Sequence, residues 1–359
     1  MKYEYWFAAI QKITGEKKRA LRNMYNSAKE LYYIEETELK KHDILKQQDV
    51  QHLEASKKAW NLDKEYEKLN RHRIELILFF DSRYPEQLKG IYDPPYALYV
   101  KGELPDKDCL TIAIVGAREC TSYGLHMARE IAGVLAQNNI AVISGLAKGI
   151  DGAAGRGALN AGGKSYAVLG CGADTCYPRE HIGLYMDIQK SGAILSEQPL
   201  GVPPLKYNFP ARNRIISGLA EMVIVMEARE RSGSLITADM ALEQGKDVYA
   251  LPGPVNSELS KGCNALIRQG AAILTSAEDL LLDLEMKYER NVKKTTKNKI
   301  KLESAENLVY SCLDLFPKSM GTIINETKLS AAELMNILIA LELQGYAEEV
   351  SKNYYIRTK

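Results

Sequence analysis

The sequence predicts an α/β protein whose central part is a doubly wound parallel sheet, preceded by a helical region and followed by a small helical unit with a β-wing. Seven short apolar runs between Thr111 and Leu284 alternate with amphipathic stretches. The runs lack the period-two alternation of half-exposed strands, as expected for strands buried on both faces. The chain, at 359 residues, is also too long for one ordinary core.

Composition predicts a cytoplasmic globular protein. Hydrophobic residues make up 46% of the chain and charged residues 26%. No apolar run reaches the length of about 18 residues that a membrane span needs, and the first residues are too mixed for a secretory signal. The six cysteines are scattered without a C-x-x-C pair, which indicates a reduced protein. A net charge of +1 gives no sign of nucleic-acid binding, so a binding face requires local clustering of cations.

Two segments precede the predicted sheet. In residues 1–70, charged residues alternate with Leu, Tyr and Ile at helical spacing. This indicates a small helical bundle with a solvated charged face, with a SAM-like or helix-hairpin-helix DNA contact as the alternative. Residues 71–104 contain Tyr84-Pro85 and Asp93-Pro94-Pro95, and we interpret them as an extended connector.

Residues 105–285 form the predicted sheet domain. Alternation of apolar runs and amphipathic stretches is typical of βαβ units, and hence of a Rossmann-like doubly wound sheet. The predicted strands are, in order, TIAIVG, IAVISG, SYAVLG, AILSE, EMVIVMEA, DVYALPG and AAILTS.

The C-terminal part divides into a linker and a winged helix. Residues 286–302 are rich in Lys and Arg with little apolar content, so we expect a basic linker, either a solvated tether or an auxiliary phosphate contact. In residues 303–359, Ser330 and Glu333 form a capping-box pattern, and the tail resembles a two-stranded wing. Eight acidic residues against five basic ones favour an interaction module over a DNA-reading helix.

Glycine-rich turns after the strands predict phosphate-binding loops. The first strand ends at Gly116, but the G-x-G-x-x-G pattern of a dinucleotide site is absent. After the second strand, a glycine-rich segment opens a helix whose N–H groups can face an anion. A third such turn precedes the helix that contains Ser234. The candidate loop residues are Gly116, Ser144, Gly145, Lys148, Gly149 and Ser234.

The densest cluster of cations and aromatics lies between Lys206 and Arg214. Three cations and two aromatic residues fall within nine positions. Single-stranded nucleic acid requires this combination, since cations bind phosphates and rings stack on bases. Two arginines two positions apart cannot share a helical face, so one reaches a ligand while the other holds the fold. The candidates are Lys206, Phe209, Arg212, Asn213 and Arg214.

The sequence contains little that would support catalysis, metal binding or cofactor binding. Glu227 and Asp239 could act as general bases, but no nucleophile is paired with either, and the five histidines show no metal spacing. A related nucleotide phosphoribohydrolase would carry a P-G-G-x-G-T-x-x-E loop, where this chain has Pro252-Gly253-Pro254-Val255. A pure scaffold protein would leave the Lys206–Arg214 cluster without a role. We therefore predict a non-catalytic protein without metal or cofactor.

Several blocks resemble the signature segments of the DprA/Smf family, over about residues 82–285. The blocks are VGAREC, SGLAKGIDGAA, FPARNRIISGL, VIVMEA, SGSLITADMALEQG, VYALPG and GCNALIRQGA. The resemblance implies single-stranded DNA binding, protection of incoming DNA during natural transformation and loading of the recombinase RecA. It implies that Arg118 contacts DNA beside Lys206, Phe209, Arg212 and Asn213.

The end of the sheet domain is a candidate dimer interface. An edge strand needs cover or a partner, and the last apolar strand follows a short helix that could supply either. Resemblance to the family implies a homodimer formed through this region. The candidate interface residues are Leu266, Ile267 and Ile273.

Overall fold

The computed structural model describes residues 1–41, 43–288 and 304–358. Most of the predicted basic linker, 286–302, therefore lies outside the described residues. Within the described part of the chain, no helix is both long and apolar enough to cross a membrane.

Helices occupy the N-terminal region. Trp6 and Phe7 are fully buried, and the indole Nε1 of Trp6 donates a hydrogen bond to Ser56 Oγ at 3.0 Å. This contact joins the first helix to the fifth. The helices are α1 (Lys2–Ala9), α2 (Gly15–Met24), α3 (Ala28–Tyr33), α4 (Glu36–Leu39), α5 (Gln47–Ala59) and α6 (Leu62–Arg71).

A nine-stranded sheet forms the centre of the protein, in the order β1-β2-β6-β5-β4-β3-β7-β8-β9. The seven strands from β3 to β9 run parallel to one another. The Rossmann-like doubly wound fold predicted from the apolar runs is confirmed. The strands are β1 (Glu75–Leu78), β2 (Ala97–Gly102), β3 (Thr111–Val115), β4 (Ala141–Ser144), β5 (Ser165–Leu169), β6 (Ala193–Ser196), β7 (Met222–Val225), β8 (Asp247–Ala250) and β9 (Ala272–Ile273).

Helices cover both faces of this sheet. Ile112 and Ile114 of β3 belong to the core beneath α8, α9 and α14, whereas Ala113 and Val115 face the core beneath α11, α12 and α13. Alternate strand residues thus enter opposite cores, which explains the continuous apolar runs. The helices are α7 (Glu86–Lys89), α8 (Ser122–Gln137), α9 (Ile150–Asn160), α10 (Ile182–Ser191), α11 (Asn208–Leu219), α12 (Gly233–Glu243), α13 (Glu258–Arg268) and α14 (Ala277–Tyr288).

The segment interpreted as an extended connector, 71–104, belongs to the sheet instead. Its strands β1 and β2 pair antiparallel with each other, and β2 pairs antiparallel with β6. Leu98 and Tyr99 of β2 are fully buried. The apolar run of β2, which we interpreted as part of a connector, therefore extends the sheet beyond β6. It supplies hydrogen-bond partners for the backbone groups that β6 would otherwise expose.

Residues 304–358 form the predicted winged helix, which is confirmed. The capping box is present: Glu333 N–H donates to Ser330 Oγ at 3.3 Å, and Ser330 N–H donates to Glu333 Oε2 at 3.0 Å. Strands β11 and β12 pair antiparallel as the wing. The elements are α15 (Ser304–Cys312), β10 (Lys318–Ser319), α16 (Met320–Thr327), α17 (Ala331–Leu343), β11 (Ala347–Ser351) and β12 (Tyr354–Arg357).

Candidate nucleic-acid interface

An open cleft of about 580 Å³ lies beyond the carboxyl ends of β3 and β4, where open α/β sheets place their ligands. Its walls come from the loop after β3 and from the starts of α9, α11 and α12. Seven of the residues predicted from the sequence line it. These are Gly116, Arg118, Lys206, Phe209, Arg212, Asn213 and Ser234.

The Phe209 ring lies in the middle of this cluster. The guanidinium carbon of Arg118 is 5.5 Å from the ring centroid and that of Arg212 is 5.9 Å away. The ring of Tyr177 lies 5.6 Å from it, centroid to centroid, at an interplanar angle of 39°. Gly170 allows this packing, because a Cβ atom there would come within 3.0 Å of Phe209 Cδ1.

The cations of the cleft have two different environments. Arg118 and Lys206 are exposed, and neither makes an ion pair with another described residue. Arg212 is buried and donates to the carbonyl oxygens of Gly145, at 2.9 Å, and Val168. Burial lowers the pKa of Arg212 to about 10. Arg118 and Lys206 are therefore free to bind an anion, whereas Arg212 holds the cleft floor together.

The loop after β4 differs from the expected anion-binding loop. The carboxylate of Asp151 accepts hydrogen bonds from the backbone N–H groups of Gly145, at 2.9 Å, and Ala147, at 3.3 Å. Burial raises the pKa of this carboxyl group. Ser144 Oγ is likewise occupied, accepting from Leu146 N–H at 3.4 Å. Ser144 and Gly145 thus shape the loop, and their polar groups already have hydrogen-bond partners in the protein.

Gly149 has a steric role in this loop. Its φ of +73° suits glycine, and a Cβ atom there would lie 2.4 Å from the carbonyl oxygen of Ala117. The start of α9 can therefore approach the loop after β3. Gly149 does not line the cleft.

Arg214 and Lys148 also lie outside the cleft wall. Arg214 makes two hydrogen bonds to the carboxylate of Glu197, at 2.9 and 2.6 Å, and one to the carbonyl oxygen of Asp93 at 3.0 Å. Side chains two positions apart on a helix point about 200° apart, so the Arg214 side chain points away from the cleft that Arg212 lines. Lys148 is exposed and pairs with Glu180 at 2.5 Å.

The start of α12 forms another wall. Ser232 Oγ accepts a hydrogen bond from Ser234 N–H at 3.4 Å and lies 2.8 Å from Ser234 Oγ. Asn213 Nδ2 donates to the carbonyl oxygen of Gly233 at 3.2 Å, so α11 positions this turn. The positive end of the helix dipole faces the cleft, and a phosphate role for Ser234 stays a prediction.

The two carboxylates considered as general bases lie apart from the cleft. Glu227 is buried and accepts hydrogen bonds from the N–H and hydroxyl of Thr121, at 2.8 and 2.6 Å. It thereby fixes the start of α8, while Asp239 is exposed on α12. Among the described residues, no group of three His, Cys, Asp or Glu side chains could hold a metal ion.

The residues predicted for a dimer interface have unequal exposure. Leu266 is buried in the core of its own domain, and Ile267 packs against the same core. Ile273 belongs to β9, which ends the sheet, and its side chain is 49% exposed. Of the three, Ile273 is the residue most available to a partner, and the dimer itself stays a prediction.

Fold and cleft together define a Rossmann-like protein with a cation- and aromatic-lined site and an appended winged helix. The chain belongs to the DNA recombination-mediator protein A family, whose model matches residues 75–285. A DprA winged helix domain model matches residues 293–351. The family suggested by the sequence blocks is thus confirmed.

Relatives agree with this assignment. The chain is 47% identical to Protein Smf of Escherichia coli over 220 residues, which are 61% of this chain and 58% of that protein. The match thus spans less than two thirds of the E. coli protein. Identity to DNA processing protein DprA of Streptococcus pneumoniae is 44% over 225 residues, covering 63% of this chain and 78% of the relative.

Two solved structures are similar. The X-ray structure of DprA from S. pneumoniae superposes with a TM-score of 0.67 at 36% identity, covering 79% of this chain and 98% of that one. A structure of DprA from Helicobacter pylori, described for its single-stranded DNA binding mode, gives 0.54 at 29% identity, with 60% and 98% covered.

Proposed function

We propose that this chain binds single-stranded DNA in the cleft and acts as a recombination mediator. The observation that carries the proposal is the cleft wall. Arg118 lies 5.5 Å from the ring centroid of Phe209, Lys206 lines the same cleft, and neither cation forms an ion pair with another described residue. Cations bind the phosphates of a single strand, and aromatic rings in the same cleft stack on its unstacked bases. Duplex DNA keeps its bases stacked, so it can use only the cations. The single-stranded DNA binding described for the H. pylori relative supports single-strand binding by this chain.

Fluorescence anisotropy tests this proposal. A labelled oligothymidine and a duplex of the same length are titrated with the protein at several salt concentrations. We expect tighter binding of the single strand, and an affinity that falls steeply with salt because phosphate contacts release counterions. Equal affinity for both DNAs would contradict the role of the aromatic wall.

In the cell, the mediator would act in the cytoplasm, protect incoming DNA during natural transformation and load RecA. Family membership supports this role. A homodimer would hold one strand at two clefts and raise its effective affinity. Ile273 on the exposed edge strand β9 is the contact we propose. Light scattering should give a dimer mass that Ile273→Glu reduces to the monomer, while a monomeric parent would refute the dimer.

We further propose that the protein carries out no catalytic turnover. Glu227 is the buried carboxylate that the sequence suggested as a general base. Both of its oxygens already accept hydrogen bonds from Thr121. Purified protein should neither hydrolyse nucleotides nor cut DNA above the level of a Lys206→Glu control. Activity abolished by Glu227→Gln would instead support an enzyme of the phosphoribohydrolase type.

The winged helix is proposed to be an interaction module. On α17, Met335, Ile339 and Leu343 are exposed at spacings of four residues, so they share one helical face. The helix also carries Glu333 and Glu342 and no cation. An exposed apolar stripe with acidic neighbours suits a protein partner, whereas a DNA-reading helix needs cations or polar base contacts.

A further inference from the structure

We infer that Tyr177 is the residue on which a base of the bound strand stacks, with Phe209 as its support. The inference deepens the proposed single-stranded DNA site and rests on it. Tyr177 lies between β5 and α10 and lines the cleft. Its side chain is 38% exposed, whereas Phe209 is half-buried.

The surroundings of Phe209 assign the two rings different tasks. Gly170 lies against one edge of the Phe209 ring, and the guanidinium groups of Arg118 and Arg212 lie within 5.9 Å of its centroid. The Tyr177 ring packs against Phe209 with its centroid 5.6 Å away. Because Phe209 is half-buried among these neighbours and Tyr177 is more exposed, Tyr177 is the ring of this pair that a strand entering the cleft meets first.

The loop that carries Tyr177 is anchored before and after it. Asp174 accepts a hydrogen bond from Gly201 N–H at 3.1 Å. His181 Nδ1 lies 3.0 Å from the carbonyl oxygen of Leu146, and its ring packs so closely on Gly152 that a Cβ atom there would come within 2.4 Å. A ring held in this way loses little conformational freedom when a base stacks on it.

Cations near this ring can bind the flanking phosphates. Arg179 is exposed two residues after Tyr177, and Lys206 lines the same cleft as Tyr177. Within the described ranges, neither forms an ion pair. The Tyr177 hydroxyl also makes no hydrogen bond to a described residue, so only the ring is needed for stacking.

The test compares Tyr177→Ala, Tyr177→Leu and Tyr177→Phe in the full chain. The leucine keeps an apolar contact with Phe209 but has no ring face, so it separates stacking from support of the loop. Tyr207→Ala is the matched control, because Tyr207 is 71% exposed near Lys206 and does not line the cleft. Far-UV circular dichroism verifies that each variant is folded.

Binding is measured with short oligothymidine and with an abasic strand of the same length and charge. Ala and Leu at position 177 should weaken oligothymidine binding about 5- to 100-fold, while Tyr177→Phe and Tyr207→Ala bind like the parent. On the abasic strand all variants should bind equally. The inference would be overturned if the Tyr177→Leu protein bound oligothymidine like the parent. It would also be overturned if this variant lost as much affinity for the abasic strand as for oligothymidine. A parent that does not bind oligothymidine would refute the proposed function itself, and the inference with it.

Discussion

The guanidinium of Arg212 donates a hydrogen bond to the carbonyl oxygen of Gly145 at 2.9 Å, which ties α11 to the loop after β4. The same side chain reaches the carbonyl oxygen of Val168 at the end of β5. One buried cation thus joins three elements below the cleft. Arg118, by contrast, is exposed, although it lies close to the same Phe209 ring. This arrangement separates stability from binding within one cluster.

Arg212→Met should lower the free energy of unfolding by about 2–4 kcal/mol, because buried carbonyl oxygens lose their donor. Urea denaturation measures the change. Arg118→Met is the matched control, since it removes an exposed cation, and should leave stability unchanged while weakening binding of oligothymidine. An Arg212→Met protein as stable as the parent would show that the buried cation is dispensable.

Arg214→Leu should also destabilise the fold, by about 2–4 kcal/mol, because Glu197 is left largely buried without its cation. Since Arg214 does not line the cleft, affinity for oligothymidine should stay at the parent value. Adding Glu197→Leu should recover part of the lost stability. If Arg214→Leu lost as much DNA affinity as Lys206→Glu, Arg214 would have to be counted as a DNA-binding residue.

The sequence predicted the parallel strands well because strands buried on both faces give continuous apolar runs. β1 and β2 were missed because two proline-containing turns separate them, and because antiparallel strands carry no βαβ signal. The spacing of Arg212 and Arg214 showed that they must diverge, but not which one faces the cleft. That depends on which face of α11 packs on the sheet.

Tyr177 and Asp151 likewise have positions that could not be predicted from local sequence patterns. Tyr177 follows a strand-end glycine turn, Gly170-Cys171-Gly172, and β5 neighbours β4 in the sheet. Strand order would have brought this turn to the cleft, but strand order is not readable from local patterns. Asp151 lies two residues after Gly149 of the predicted anion loop, and its carboxylate accepts hydrogen bonds from the loop N–H groups of Gly145 and Ala147.

Stability should rise with pH just above neutrality because of Lys18. Its Nζ donates to the carbonyl oxygen of Ala8 at 2.7 Å, and burial lowers its pKa to about 7. Above that pH the folded protein holds Lys18 neutral, while the unfolded chain keeps it protonated. The unfolded state then binds more protons, so the free energy of unfolding rises by up to about 1.4 kcal/mol per pH unit.

Urea denaturation between neutrality and the onset of cysteine titration measures this slope. The upper limit matters because burial raises the pKa of Cys263 to about 12, which has the opposite effect on stability at higher pH. Lys18→Met should flatten the curve. An unchanged slope in that variant would assign the pH dependence to other groups.

A variant that ends at Tyr288 should keep most of its affinity for oligothymidine, because the cleft lies wholly within the sheet domain. The cut must follow α14, since Leu284 is buried in the core and Tyr288 packs against it. A second variant ending at Lys301 retains the basic linker. Affinity restored only by the longer variant would assign a phosphate contact to the linker.

The binding of oligothymidine by Lys206→Glu, measured by anisotropy beside the parent at several salt concentrations, tests the central claim most directly. Lys206 is exposed and makes no ion pair in the described part of the chain, so its replacement should leave the fold intact. We predict a large loss of affinity and a shallower dependence on salt, because a phosphate contact is lost. A folded Lys206→Glu protein with the parent's affinity and salt dependence would contradict the proposed site.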